Sequence, residues 1–301
     1  MKKLLLLPVL AILFFSCGGG KQIMGDFRTE GMVISYEPSI GNTLSFVNKS
    51  DAVGEVITTQ ASRSILTKSE RQLDITTENV TDEEIKVSYT FGQMESGTFV
   101  NGEIQESDDE EDELEGQTLT IIVNREDGKM KDWEGLQELT FDEAGMNRGE
   151  SMANDYTSII FDYFPPKPVK IGSKWDVTNE TKTSLEDGGF NEQSRTKEYE
   201  LVDFVMYKGH KCAKVKVTID INVNTETSGE DANGNSYDVI AEGMGEGRGE
   251  FYFDFENGHL VFSKYSWIID LEQTAINVET GEKESYNMYQ ESHEKYTLKS
   301  E

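Results

Sequence analysis

Basic residues, cysteine and histidine are scarce in this chain: 28 Lys and Arg stand against 57 Asp and Glu, with two Cys and three His among 301 residues. The formal charge is −29. A polyanion-binding face needs clustered cations, so no nucleic-acid partner is expected. Two cysteines cannot build a disulfide scaffold. No apolar run reaches the ~20 residues that a membrane-spanning helix needs. Against these absences stand 15 Phe, 12 Tyr and 3 Trp. That much aromatic area builds a core and argues against disorder.

The N-terminus carries an address. Lys2 and Lys3 precede an apolar run from Leu4 to Phe15, broken only by Pro8, and Ser16-Cys17 follows. Charge, a short apolar stretch and a small residue read as a signal peptide over residues 1–16, which is not counted as structure. Ser16-Cys17 resembles the lipobox of bacterial lipoproteins, although Phe14 stands where that pattern usually has Leu. The resemblance implies acylation of the Cys17 thiol, with acyl chains supplying the membrane affinity. Residues 17–29, opening with Gly18-Gly19-Gly20, then form a flexible lipidated tether. Surface-exported lipoproteins of the Bacteroidetes type often carry acidic residues directly after the Cys, and Gly18-Gly19-Gly20-Lys21-Gln22 stands there instead, so the resemblance implies the periplasmic side of an outer membrane rather than the cell surface.

Alternation with period two dominates the body. Ile85, Val87, Tyr89 and Phe91 occupy every second position, as do Ala213, Val215, Val217, Ile219, Ile221 and Val223. Leu119 to Val123, Phe251 to Phe255 and Tyr265 to Leu271 repeat the pattern. Such strands have one apolar face. Asp127-Gly128, Asn233-Gly234 and Asn257-Gly258 supply hairpin turns between them. The fold class predicted is mostly β with minor α: a large, curved, half-barrel-like antiparallel sheet. Three features recur at offsets of 130 or 131: Ile40-Gly41 with Ile171-Gly172, the Ile85 strand with the Val215 strand, and Asp127-Gly128 with Asn257-Gly258. They divide the body into related β halves, residues 30–150 and 165–301.

Between the halves, Met152, Tyr156, Ile159, Ile160, Tyr163 and Phe164 trace one face of a helix over residues 151–164, stopped by Pro165. A shorter helical piece is predicted from Trp133 to Leu139. The acid run at 106–115 reads as a self-repelling loop between strands.

Catalytic signatures are missing. The chain has no Gly-x-Ser-x-Gly elbow, His-Glu-x-x-His helix, P-loop or dinucleotide fingerprint, and its two Ser-x-x-Lys pairs lack partner motifs. His210, His259 and His293 are far apart in sequence, each beside a charged or turn residue, and are expected on the solvated surface. Cys212 shares a strand face with His210, but without an orienting group it reads as a half-buried apolar residue rather than a nucleophile. No enzyme, cofactor or metal is expected.

The segment Pro165-Pro166-Lys167-Pro168-Val169-Lys170-Ile171-Gly172-Ser173-Lys174-Trp175, with the Gly247 to Gly258 hairpin, resembles a family of Bacteroidetes-type secreted lipoproteins built on a domain of unknown function. In architecture alone, the chain is similar to periplasmic lipid and lipoprotein carriers. The second resemblance implies an apolar or lipid-like ligand in a sheet-and-helix cavity, for which Phe251, Phe253, Phe255, Phe262, Trp267, Tyr156 and Ile160 are the candidate lining. The alternative is a structural adaptor that contacts an envelope protein partner. Fold-level analogy does not choose between them.

Overall fold

The computed structural model describes residues 31–299, apart from residues 35, 37–38, 58–61, 106–112, 126–127, 137–147, 162–164, 166, 186–188 and 231–234. The signal peptide, Cys17, the tether, most of the acid run and Asn233-Gly234 lie outside the described residues. The elements are β1 (Thr43–Ile57), β2 (Ser62–Val80), β3 (Glu84–Val100), β4 (Glu103–Gln105), β5 (Thr118–Asn124), β6 (Met130–Glu134), α1 (Arg148–Phe161), β7 (Lys174–Ser184), β8 (Phe190–Tyr207), β9 (His210–Glu230), β10 (Ser236–Asp254), β11 (His259–Asn277) and β12 (Lys283–Leu298).

All strands join one antiparallel sheet in the order β6-β5-β3-β2-β1-β12-β11-β10-β9-β8-β7, with β4 added to β3. The mostly β, curved antiparallel architecture read from the alternation is the observed one. The first strand pairs with the last, Phe46 opposite Leu298 and Asn48 opposite Tyr296. This is the circular order of an up-and-down barrel. Closure stops between β6 and β7, and α1, which links them in sequence, packs there against β5, β6 and β7.

Alternation fixes which face is inside. On β9, Ala213, Val215, Val217, Ile219 and Ile221 are buried, while Lys216, Thr218 and Asp220 are exposed. Register carries this inner face across the sheet: Val217 lies opposite Tyr199 of β8 and Gly249 of β10, and Gly249 opposite Tyr265 of β11. Strand β10 carries four inward glycines, Gly243, Gly245, Gly247 and Gly249, facing Leu271, Ile269, Trp267 and Tyr265. A Cβ at Gly247 would stand 2.7 Å from the Ser266 carbonyl oxygen and 2.8 Å from the Trp267 Cβ. Glycine thus lets β10 and β11 curl tightly here, with large β11 side chains covering the bare backbone.

The helix is seated by aromatics. Tyr156 packs on Tyr89 and Phe91, with centroids 5.3 Å away in each case. The Tyr89 hydroxyl donates to the Tyr156 carbonyl at 3.0 Å. Ala153 and Ile159 are buried beside them. No helix forms at Trp133: it lies in β6 opposite Ile121. Gly135 follows at φ 107, which no right-handed helix accommodates.

In the Pro165 to Trp175 segment, Val169 forms an isolated bridge with Met32. Gly172 turns at φ 84 and Trp175 stacks on Tyr199 at 5.4 Å. Gly41, at φ 78, holds the same place before β1 that Gly172 holds before β7. Gly128 and Gly258, at φ 69 and 66, likewise precede β6 and β11.

Candidate functional site

The inner face is not uniformly apolar. Arg195 and Lys197 from β8, Glu294 from β12 and Asp155 from α1 converge inside the curve. Charges in such a place are costly unless they compensate one another, and here two acids meet two cations. Burial is the main cause that pushes the Glu294 carboxyl up to about 7, and Asp155 adds repulsion, while Arg195 and Lys197 pull it back. Asp155 touches the solvent of the cavity, but the surrounding protein strips its hydration and its carboxyl rises too, against the pull of Arg195 and Lys197. The Arg195 guanidinium lies 5.9 Å from the Trp267 ring and donates to Gln193 Oε1 at 3.2 Å. Its Nε is buried without an acceptor.

Beside this cluster, where the sheet fails to close, is a cavity of about 570 Å³. The β5–β6 turn, α1, β7 and β8 wall it, and Asn154, Asp155, Thr157, Thr181, Gln193 and Arg195 give it polar groups. The size is that of a ligand site. The apolar interior is much fuller: voids bordered by Tyr36, Phe46 and Ile75, and by Ile219, Ile221 and Trp267, measure about 10 and 40 Å³.

The candidate aromatics do not converge on one cavity. Phe251 and Phe253 are buried in the packed core, with Tyr199 edge-on to Phe251 at 6.0 Å. Phe255 lies in the turn after β10, against Phe204 at 5.5 Å. Phe262 is on the opposite face, because it pairs with Tyr252, whose neighbours Phe251 and Phe253 point inward. There it joins Tyr207 and Tyr252, at 5.7 and 5.8 Å. Trp267 borders the 40 Å³ void, and Tyr156 serves to seat the helix. The side chain of Ile160 lies outside the described residues.

The histidines correct a second expectation. His210 and His259 are neighbours, ring centroids 5.5 Å apart, and His259 is only 6% exposed. His210 Nδ1 lies 2.8 Å from Asp254 Oδ2, so the orienting carboxylate missed in the sequence is present. Reading each histidine by its sequence neighbours hid this: the β8–β9 and β10–β11 turns bring three strand ends together. His293 alone is exposed as expected, 3.2 Å from Glu291. Cys212 is fully buried rather than half-buried, and burial, aided by Asp254, pushes its thiol up to about 12. Burial of this kind goes with an unreactive, structural cysteine.

No protein-family model matches the chain, and no curated protein does. Among solved structures, one of lipovitellin concerned with lipid–protein interactions is similar over 88% of this chain and 26% of its own, at 12% identity and TM-score 0.47. The chain thus spans about a quarter of that structure. Pseudomonas aeruginosa OccK5 (OpdH) aligns over 88% of this chain and 100% of its own, at 4% identity and TM-score 0.27. The outer membrane protein OprD of the same organism gives 89% and 98%, at 8% and 0.22. With TM-scores below 0.5, these likenesses assign neither family nor function.

Proposed function

We propose that this chain is an envelope lipoprotein, held at the outer membrane through acylated Cys17 and facing the periplasm, that binds a small amphipathic ligand between α1 and β7–β8. One observation supports this most: a cavity of about 570 Å³ ends at Arg195, whose buried Nε has no acceptor. A hydrogen-bonding or anionic head group would pair with the Arg195 guanidinium where it lines the cavity and meet the hydroxyls and amides of Thr157, Asn179, Thr181 and Gln193. The apolar part of the ligand would lie along Met130 and Val177, which also line the cavity. A long acyl chain finds no such room in the core, where the voids are about 10 and 40 Å³.

Native mass spectrometry of the full chain carrying Cys17→Ala, with organic extraction of what co-purifies, tests the ligand. A stoichiometric amphiphile that Arg195→Ala releases is expected. Tryptophan fluorescence should also respond to a short-chain phospholipid, since one of the three rings, Trp267, lies beside Arg195. An empty protein whose fluorescence ignores the lipid overturns ligand binding. Retention of Cys17→Ala in the membrane fraction overturns the anchor, and digestion of the parent by external protease on intact cells overturns the periplasmic orientation.

A second reading, an adaptor docking an envelope protein, is favoured by a groove of about 550 Å³ on the outer face. Lys174, Lys216, Arg248 and Lys264 line it with Glu198, Glu200 and Glu250. Charge reversal of Arg248 and Lys264 should abolish such docking and leave ligand content unchanged.

A further inference from the structure

Two turns at one end of the sheet present three metal-ligand side chains together. Lys208-Gly209, at φ 48 and 88, make the two-residue turn from β8 to β9, and His210 is the first residue after it. Asp254 ends β10 opposite Cys212, and His259 opens β11 opposite Asp254. Strand pairing therefore puts His259 beside Asp254 and His210 on its diagonal, all on the outer face. One ligating atom from each lies within 4.8 Å of the other two.

The carboxylate is held from behind. Asp254 Oδ1 accepts from the backbone N–H groups of Glu256 at 2.9 Å and Asn257 at 3.1 Å. Its Oδ2 accepts from Asn257 Nδ2 at 2.8 Å and faces His210 Nδ1 at 2.8 Å. His259 has its Nδ1 3.4 Å from the Asn257 carbonyl, a contact that favours the proton on Nδ1 and leaves the lone pair on Nε2. That Nε2 is buried and has no hydrogen-bond partner. An orphaned buried imidazole nitrogen costs stability unless something binds it. Turn residue Asn257 thus contacts both Asp254 and His259, the outer-shell arrangement that orients metal ligands.

We infer that His210, Asp254 and His259 form a site for a divalent transition-metal ion such as Zn²⁺ or Co²⁺. Two imidazoles and one carboxylate suit such ions, whereas Ca²⁺ and Mg²⁺ prefer all-oxygen sets. Binding at His210 Nδ1 shifts that ring's proton to Nε2, so the neutral imidazole coordinates without net loss of a proton. His210 is half-buried while the other two ligands are buried, so the ion would enter from the His210 side.

The test uses the full chain carrying Cys17→Ala, stripped with chelator and titrated with Co²⁺ and Zn²⁺. One equivalent of Co²⁺ should give a visible absorption band, and Zn²⁺ should raise the thermal midpoint. His210→Gln and His259→Gln should each weaken Co²⁺ binding at least ~100-fold. His293→Gln, on the remote exposed histidine, should change neither readout. Absence of stoichiometric binding overturns the proposal. Binding that survives both His210→Gln and His259→Gln belongs to the acid-rich surface and overturns it as well.

Discussion

A Cβ at Gly249 would stand 2.7 Å from the Lys264 carbonyl oxygen and would enter the ring of Tyr265. The close approach spans the β10–β11 pair at the rung that also carries Glu294, through Tyr265. Gly249→Ala should cost about 1–3 kcal/mol as overpacking. Gly54→Ala is the control, since nothing lies within 4 Å of a Cβ there, and it should stay within about 0.5 kcal/mol of the parent. Urea midpoints of the two variants decide the matter, and equal midpoints would refute the steric account.

Tyr89 holds the helix across the gap where the barrel is open. Its hydroxyl donates to the Tyr156 carbonyl at 3.0 Å while its ring packs on that of Tyr156. Tyr89→Phe keeps the ring and removes the hydrogen bond, which should cost about 1 kcal/mol. Hydrogen exchange should locate the loss in α1 rather than in β9 and β10. Uniform loss of protection across the sheet would mean the bond does not act on helix docking.

The strands were legible because each pays its alternation into one buried face: Val215, Val217 and Ile219 are buried and Lys216 and Thr218 are not. The helix was legible for a similar reason, as Tyr156 and Ile159 recur at helical spacing. What alternation does not encode is which strand ends meet. His210 and His259 are 49 positions apart in sequence and become neighbours only through the register of β9 on β10 and β10 on β11. Phe262 shows the same limit: the register shift between Tyr252 and Phe253 sets its face, and no local pattern reveals a bulge. The inward glycines at 243, 245, 247 and 249 did stand in the sequence at period two. Their meaning depends on the large β11 side chains opposite them.

Glu294 gives the fold a pH dependence of definite sign. Its proton is held more tightly in the folded protein, where the carboxyl is pushed from 4.5 up to about 7. Folding therefore takes up a proton in that window. The contribution of this group to stability is full below pH 4.5, falls as pH rises toward 7, and is flat above it. The whole change is on the order of 3 kcal/mol as an upper bound, since Glu294 keeps some solvent contact. Glu294→Gln should remove this slope, so the stability difference between variant and parent should shift in favour of the variant from pH 5 to pH 7.5. Denaturation curves at a series of pH values measure it; parallel profiles would show that Glu294 titrates normally.

Cys212 tests whether the outer-face cluster is as closed as its burial indicates. The thiol is fully buried, and burial first, then the Asp254 carboxylate opposite it, pushes it up to about 12 from 9.0. At pH 8 that leaves roughly a thousandfold less thiolate than an ordinary cysteine has, and the thiolate is the species that alkylates. With Cys17→Ala the full chain carries Cys212 as its single thiol, so intact mass after iodoacetamide treatment reports this residue alone. The native protein should stay unlabelled over a period in which the urea-unfolded chain takes up one adduct. Labelling of the native form at a rate near that of the unfolded chain would mean that the end of β9 opens readily. In that case the ends of β10 and β11, which complete the same cluster through Asp254 and His259, would not be held in the arrangement described.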